Sequence, residues 1–224
     1  MAAICHLLGV PREDEPRFRH WADATVEAFD PTTGTFEERQ RGPMARGDLL
    51  NTGALLLVAG HETTVNLIAN GLLTLLRHPD VLERLRHEPD LSIPLVEELL
   101  RYEPTVHMLT GRSALADIDL AGTTIPQGSP LALVLAAGSR DPHRFPDPDR
   151  FDPDRADNVH LGFGNGIHYC FGAPPARSEA QVALSAPARR LVNPRLATDP
   201  PPYRPNPTLR GPRHLMIEFD AIAP

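Results

Sequence analysis

The chain has 224 residues, enough to bury one substantial core and to form one or two domains. Its 22 basic side chains are all arginine and stand against 29 acidic ones, and the formal charge of −7 argues against a nucleic-acid binder, which carries a basic footprint. Two cysteines, Cys5 and Cys170, cannot build a disulfide framework and point to a reducing compartment, so a soluble, cytoplasmic protein is expected.

The opening stretch, Met1 to Val10, is too short and too interrupted by His6 for a signal peptide or an anchor. A charged, helix-like run follows Pro11 to about Phe29, and Asp30 to Gly47, with Pro31, Gly34, Gly42 and Pro43, reads as a loop. Leu49 to about Arg77 is the longest helical pattern. It is apolar but carries His61, Glu62, Thr63, Thr64, Asn66 and Asn70, which predicts a helix buried in protein and no membrane span. His78-Pro79 should end it, because the residue before a proline disfavours the helical region. Shorter helices are predicted over Pro79 to His87 and Pro94 to Tyr102, each opening on a proline tolerated in the first turn. Between Ile118 and Val134 two strand-like runs flank Ile125-Pro126-Gln127-Gly128, a hairpin signal. Arg140 to Asp157 is an irregular Asp/Pro/Arg meander. Residues 171–192 show helical spacing, but Pro187 falls inside the run and predicts a kink or an end there. A proline-rich tail closes the chain, with a strand-like Leu215 to Phe219. There are no internal repeats, and the expected class is mainly α with small β hairpins.

Four groups of residues carry chemistry. Residues 163–172 read Phe-Gly-Asn-Gly-Ile-His-Tyr-Cys-Phe-Gly, with Cys170 among glycines and ahead of a predicted helix. A helix N-terminus lowers a thiol pKa and holds its negative charge, and glycines let the backbone approach a flat macrocycle. A buried, inert cysteine in a glycine-rich loop is the plain alternative. Within the long helix, Ala59-Gly60-His61-Glu62-Thr63-Thr64 overrides local preference, since Gly60 costs about 1 kcal/mol relative to alanine. An acid beside a hydroxyl makes a proton relay; a solvated polar patch is the other reading. Glu98 and Arg101 lie three apart on one helix face, which alone would suggest an exposed pair worth a few tenths of a kcal/mol. Arg112 stands ten residues before Gly122 at the head of the strand-like region.

The segment around Cys170 resembles the haem-binding loop of cytochromes P450, Phe-x-x-Gly-x-His-x-Cys-x-Gly, at all five fixed positions: Phe163, Gly166, His168, Cys170 and Gly172. Ala-Gly-x-Glu-Thr-Thr at residues 59–64 and Glu-x-x-Arg at 98–101 also match the family's patterns, in the family's order. The resemblance implies the C-terminal half of a P450 fold binding haem b (iron protoporphyrin IX). Cys170 is then the axial iron ligand and His168 a donor to a haem propionate, with Phe163, Gly166 and Gly172 completing the cofactor-binding loop. Gly60 faces the oxygen site, and Glu62 and Thr63 deliver protons. Glu98 and Arg101 form a buried ion pair completed by an arginine before the loop, for which Arg150 in Pro148-Asp149-Arg150-Phe151 is the candidate. Arg112 pairs with a propionate.

The implied activity is that of a soluble bacterial monooxygenase, a monomer using dioxygen, a small organic substrate, and electrons from a ferredoxin-type partner and its reductase. Arg177, Arg189 and Arg190 form a candidate docking face for that partner, or else a solvated helix surface. Val106 to Thr110 give an apolar hint of a substrate pocket. The family is roughly twice this length, so the chain reads as a single partial domain. Residues 1–47 are a shortened remnant of the upstream helices, and 48–224 carry the central helix, meander and thiolate loop. A second reading stays open: a catalytically impaired fragment that binds haem weakly or serves only as an interaction partner.

Overall fold

The computed structural model describes residues 46–224 together with Pro16. The opening stretch, the rest of the charged run to Phe29, and the expected loop from Asp30 as far as residue 45 lie outside them. The first helix, α1 (Arg46–Arg77), has 32 residues and is about 48 Å long at 1.5 Å per residue. It stops at His78, whose φ of −126° and ψ of 72° lie outside the helical region, as proline at the next position demands. Pro79 then opens α2 (Pro79–His87), which buries Val81, Leu82 and Leu85. A 3-10 turn, Pro89–Leu91, leads into α3 (Ser92–Tyr102).

The β region departs from its sequence reading. β1 (Leu109–Ser113) pairs antiparallel with β4 (Pro130–Leu133), and β2 (Ile118–Leu120) pairs with β3 (Thr123–Ile125). The hairpin turn is Ala121-Gly122, both with positive φ (49° and 80°), a two-residue connection that matches strand twist. Ile125 to Gly128 is therefore not a hairpin. Gly128 (φ 84°) instead gives its N–H to the Ala114 carbonyl at 2.8 Å and sends β4 back to β1. A short helix, α4 (Leu135–Gly138), precedes the meander, and α5 (Ala173–Arg190) follows the cysteine loop. Two minimal pairs end the fold, β5 (Leu191–Val192) with β8 (Ala221–Ile222) and β6 (Arg195–Leu196) with β7 (Ile217–Glu218).

Pro187 does not end α5, which runs on to Arg190. Its last turn is held from outside: Arg86 on α2 donates to the carbonyls of Ala188 (2.8 Å) and Leu191 (3.0 Å), while Ala188 is fully buried. Pro174 and Pro175 sit in the first turn, where backbone N–H groups have no intrahelical acceptor, so they remove nothing.

The hydrophobic core is the meeting of α1, α2, α3 and α5 through Leu67, Leu75, Leu85, Leu95, Leu99 and Leu184. Beside this apolar stripe, α1 buries a polar ladder at four-residue spacing: Glu62, Asn66, Asn70 and Thr74. The C-terminal tail receives it. Asn70 donates to the Arg210 carbonyl (3.0 Å), Arg204 pairs with Glu62, and Gly211 packs so closely on Asn66 that a Cβ there would lie 2.1 Å from its Oδ1. The same tail segment is pinned to the chain before β1, with the His107 N–H on the Thr208 carbonyl (2.9 Å) and the Arg210 N–H on that of Thr105 (2.8 Å). Among the described residues, no helix is long and apolar enough to cross a membrane.

Candidate functional site

The loop from Phe163 to Gly172 folds on its own backbone. Gly164 (φ 71°) and Gly166 (φ 73°) occupy the left-handed region, which glycine adopts without a Cβ penalty. Asn165 accepts the Gly166 N–H on its side-chain oxygen (2.8 Å), and a 3-10 turn, Gly166–His168, follows. The Cys170 N–H then reaches back to the Phe163 carbonyl at 3.0 Å and closes the loop. Cys170 is a free, half-buried thiol two residues from Gly172, the N-cap of α5. Its neighbours Ile167 and Phe171 are 98% and 78% exposed, so the thiol stands beside an apolar surface.

Behind the loop, Glu98 and Arg101 are fully buried, which rules out the exposed pair that spacing alone suggested. Glu98 accepts from Arg101 at 2.7 and 2.8 Å, from the Asp152 N–H at 2.8 Å and from Asn158 at 3.1 Å. Arg101 spends its remaining donors on the carbonyls of Ser139, Pro148 and Arg150. A buried pair so fully bonded fixes the meander to α3, although its net contribution to stability is small after desolvation. Arg150 is not its third member. The Arg150 side chain is 68% exposed, 3.6 Å from Asp152, and contributes only its carbonyl. Arg155 takes the position: it is 9% exposed, its Nε lies 3.5 Å from Glu98, and its guanidinium bonds the carbonyls of Pro146 and Asp147. The sequence carries Pro-Asp-Arg twice, five residues apart, and only the second copy points inward.

On α1, Glu62 is 2% exposed and paired with Arg204, a partner 142 residues away that spacing could not reveal. The Thr63 hydroxyl donates to the Ala59 carbonyl, so it competes for an acceptor of the helix ladder. Ala59 and Gly60 are exposed, as is Leu55 one turn earlier, which leaves an uncovered apolar strip on a helix otherwise buried here. Arg112 on β1 and His168 at the end of the 3-10 turn are both exposed donors. Of the candidate docking arginines, Arg189 and Arg190 are exposed, but Arg177 is engaged by Glu97 at 2.6 and 2.8 Å. Burial, helped by nearby Arg210, pushes the His107 imidazole below its ordinary value. A groove of about 540 Å³ over the meander is bordered by two ion pairs, Arg144–Asp157 and Arg150–Asp152.

Comparison with known proteins bears directly on this arrangement. The model of the family described as "Cytochrome P450" matches residues 19–191. The chain belongs to the cytochrome P450 family. It is 42% identical to the cytochrome P450 monooxygenase PikC of Streptomyces venezuelae, across 98% of this chain and 61% of that protein. It is 37% identical to the biotin biosynthesis cytochrome P450 of Bacillus subtilis, across 97% of this chain and 64% of that protein. Among solved structures, it superposes on P450BioI, crystallised with a fatty-acid-ligated acyl carrier protein, with a TM-score of 0.88 at 36% identity. That match covers 97% of this chain and 65% of the other. Mycobacterium smegmatis CYP164A2 gives a TM-score of 0.86 at 39% identity, covering 96% and 66%. The chain spans less than two thirds of the length of the curated relatives named here.

P450s carry haem b, and the residues present fit it. A single thiolate is a soft donor for iron. Among the described residues no three His, Cys, Asp or Glu side chains gather as they would around a bare ion. The apolar exposed side chains beside Cys170 and the uncovered Ala59–Gly60 strip suit a flat, apolar macrocycle.

Proposed function

We propose that the chain is the C-terminal part of a haem-thiolate monooxygenase, with residues 1–224 a single partial domain, and that it inserts one atom of dioxygen into a small organic substrate. The observation that carries this reading is the closed Phe163–Gly172 loop, which holds one free thiol at a helix start beside apolar surface. Haem, when bound, supplies the iron centre at which dioxygen is reduced with two electrons from a redox partner.

The chain's own residues have separable tasks. Cys170 is the iron's sulfur ligand, two residues before the N-cap of α5. Arg112 and His168 hold the propionates by charge-assisted bonds. Glu98, Arg101 and Arg155 keep the meander in place beneath the loop. Thr63 presents a hydroxyl on α1, and the buried Glu62 carboxylate, held by Arg204, is the neighbouring group that relays protons toward it. Arg189 and Arg190 offer basic surface to an acidic, ferredoxin-type partner.

The test is the absorption spectrum of the haem-loaded, reduced, carbon-monoxide-bound chain. A thiolate-type Soret band that disappears in Cys170→Ala supports the assignment. A band that survives the substitution, or no band in the unsubstituted chain, sinks it. Product formation with a ferredoxin and its reductase then separates an enzyme from a haem-binding fragment.

A further inference from the structure

α3 carries two adjacent carboxylates that face different neighbours. Glu98 serves the meander, whereas Glu97 reaches Arg177 on α5 and His160, three residues before the cysteine loop. Arg177 grips Glu97 with a fork, Nε to Oε1 at 2.6 Å and Nη2 to Oε2 at 2.8 Å. His160, almost wholly buried, places Nε2 3.2 Å from the same carboxylate. Its Nδ1 accepts the Gly162 N–H at 3.0 Å, so the ring proton sits on Nε2 and is donated to Glu97. Burial alone would raise the Glu97 carboxyl, but the bonds from Arg177 and His160 outweigh it and hold it at about 2. Both members of the Glu97–Arg177 pair are therefore charged at neutral pH.

The other face of Arg177 meets the thiol loop. Its guanidinium lies 4.6 Å from the centre of the Phe163 ring, a cation–π distance, and its Nη1 is 3.3 Å from the Tyr169 hydroxyl. The Phe163 carbonyl accepts the Cys170 N–H, and Tyr169 is the residue before Cys170. One cation thus touches the residues on both sides of the turn that carries the sulfur, and one anion offsets it from the far side.

Resting on the haem-thiolate reading above, we infer that Arg177 is an electrostatic positioning residue for the Cys170 ligand and that Glu97 balances its charge. The consequence has a sign. Neutralising Glu97 leaves an uncompensated positive charge at the loop, which favours the reduced, more negative iron centre. Neutralising Arg177 leaves an uncompensated negative charge, which opposes reduction. A clamp that merely stiffened the loop would respond in one direction to loss of either partner.

The experiment is a spectroelectrochemical titration of the ferric/ferrous midpoint in the haem-loaded full chain, unsubstituted and as Glu97→Gln, Arg177→Gln, Arg177→Lys and the double Glu97→Gln/Arg177→Gln variant. The midpoint rises in Glu97→Gln, falls in Arg177→Gln, stays near the unsubstituted value in Arg177→Lys and returns toward it in the double variant. Same-direction shifts in the two single variants, or no shift in either, overturn the inference. Should Arg177→Gln fail to fold, Glu97→Gln and Arg177→Lys carry the test: a raised midpoint in the first with an unchanged one in the second supports the assignment, and any other pairing overturns it. Absence of a thiolate-type band in the unsubstituted chain removes the haem reading and this inference together, whereas a normal band with same-direction shifts removes this inference alone.

Discussion

Replacing Arg155 by alanine tests the ion cluster beneath the thiol loop, because a second arginine five residues earlier serves as its control. The Arg155 guanidinium donates to the carbonyls of Pro146 at 2.7 Å and Asp147 at 3.2 Å and lies 3.5 Å from buried Glu98. Hydrogen bonds from a charged donor contribute about 1.5–3 kcal/mol each. The freed carbonyls sit at the surface and regain water, and Glu98 keeps Arg101, the Asp152 N–H and Asn158. The net loss is therefore about 3 kcal/mol, a large share of a typical domain stability of roughly 5–15 kcal/mol. Arg150→Ala removes an exposed side chain whose one acidic neighbour is 3.6 Å away, and should stay within about 0.5 kcal/mol. Urea unfolding followed by far-ultraviolet circular dichroism reads both. Equal losses in the two variants, or a greater one for Arg150→Ala, would refute the placement of Arg155 in the cluster.

Gly162→Ala would put a Cβ 2.7 Å from the Leu100 carbonyl oxygen, and backbone cannot step aside as a side-chain tip can. A loss of about 1–3 kcal/mol in thermal unfolding is expected, together with reduced haem incorporation. Glu97, held at about 2 against an ordinary 4.5, adds stability that is fully present above pH 4.5 and is lost as pH falls through the folded value. That contribution is at most about 3 kcal/mol and less after solvent screening, so the stability gap between the unsubstituted chain and Glu97→Gln should narrow between pH 6 and pH 3. Arg204→Ala strips Glu62 of a partner while the carboxylate stays buried. A double-mutant cycle with Glu62→Gln should give a coupling of about 1–3 kcal/mol, and zero coupling would mean the pair is only a surface contact.

The helices were legible because their signals are local. Apolar periodicity and His78-Pro79 set α1 and α2 to within a few residues, and the ten residues around Cys170 carry their own turn chemistry in Gly164 and Gly166. What stayed hidden depends on contacts made far along the chain. Pro148-Asp149-Arg150 and Pro153-Asp154-Arg155 are locally equivalent, and only the packing of the meander on α3 selects the second. The β2–β3 turn was missed because Ala121 adopts a positive φ that alanine rarely takes, while the proline and glycine at 126 and 128 gave the louder turn signal. Pro187 is a helix breaker by local rules, yet α5 continues to Arg190, with the Ala188 carbonyl of its last turn taken by Arg86 from 102 residues away. Arg177 looked like docking surface because its partner, Glu97, is 80 residues earlier.

The polar ladder of α1 ties the oldest part of the described chain to the youngest. Glu62 and Asn70 find Arg204 and the Arg210 carbonyl at sequence separations of 142 and 140. During synthesis the helix is thus made long before the tail groups that meet Glu62 and Asn70, and at roughly 5–20 residues per second that interval lasts on the order of ten seconds or more. For that time the Glu62–Arg204 pair and the Asn70 bond to the Arg210 carbonyl cannot form, so this face of α1 waits for its final packing. The segment from Arg204 to Gly211 thus acts as a late closing step of folding, and a chain cut before residue 204 should remain open along the helix that carries Glu62 and Thr63.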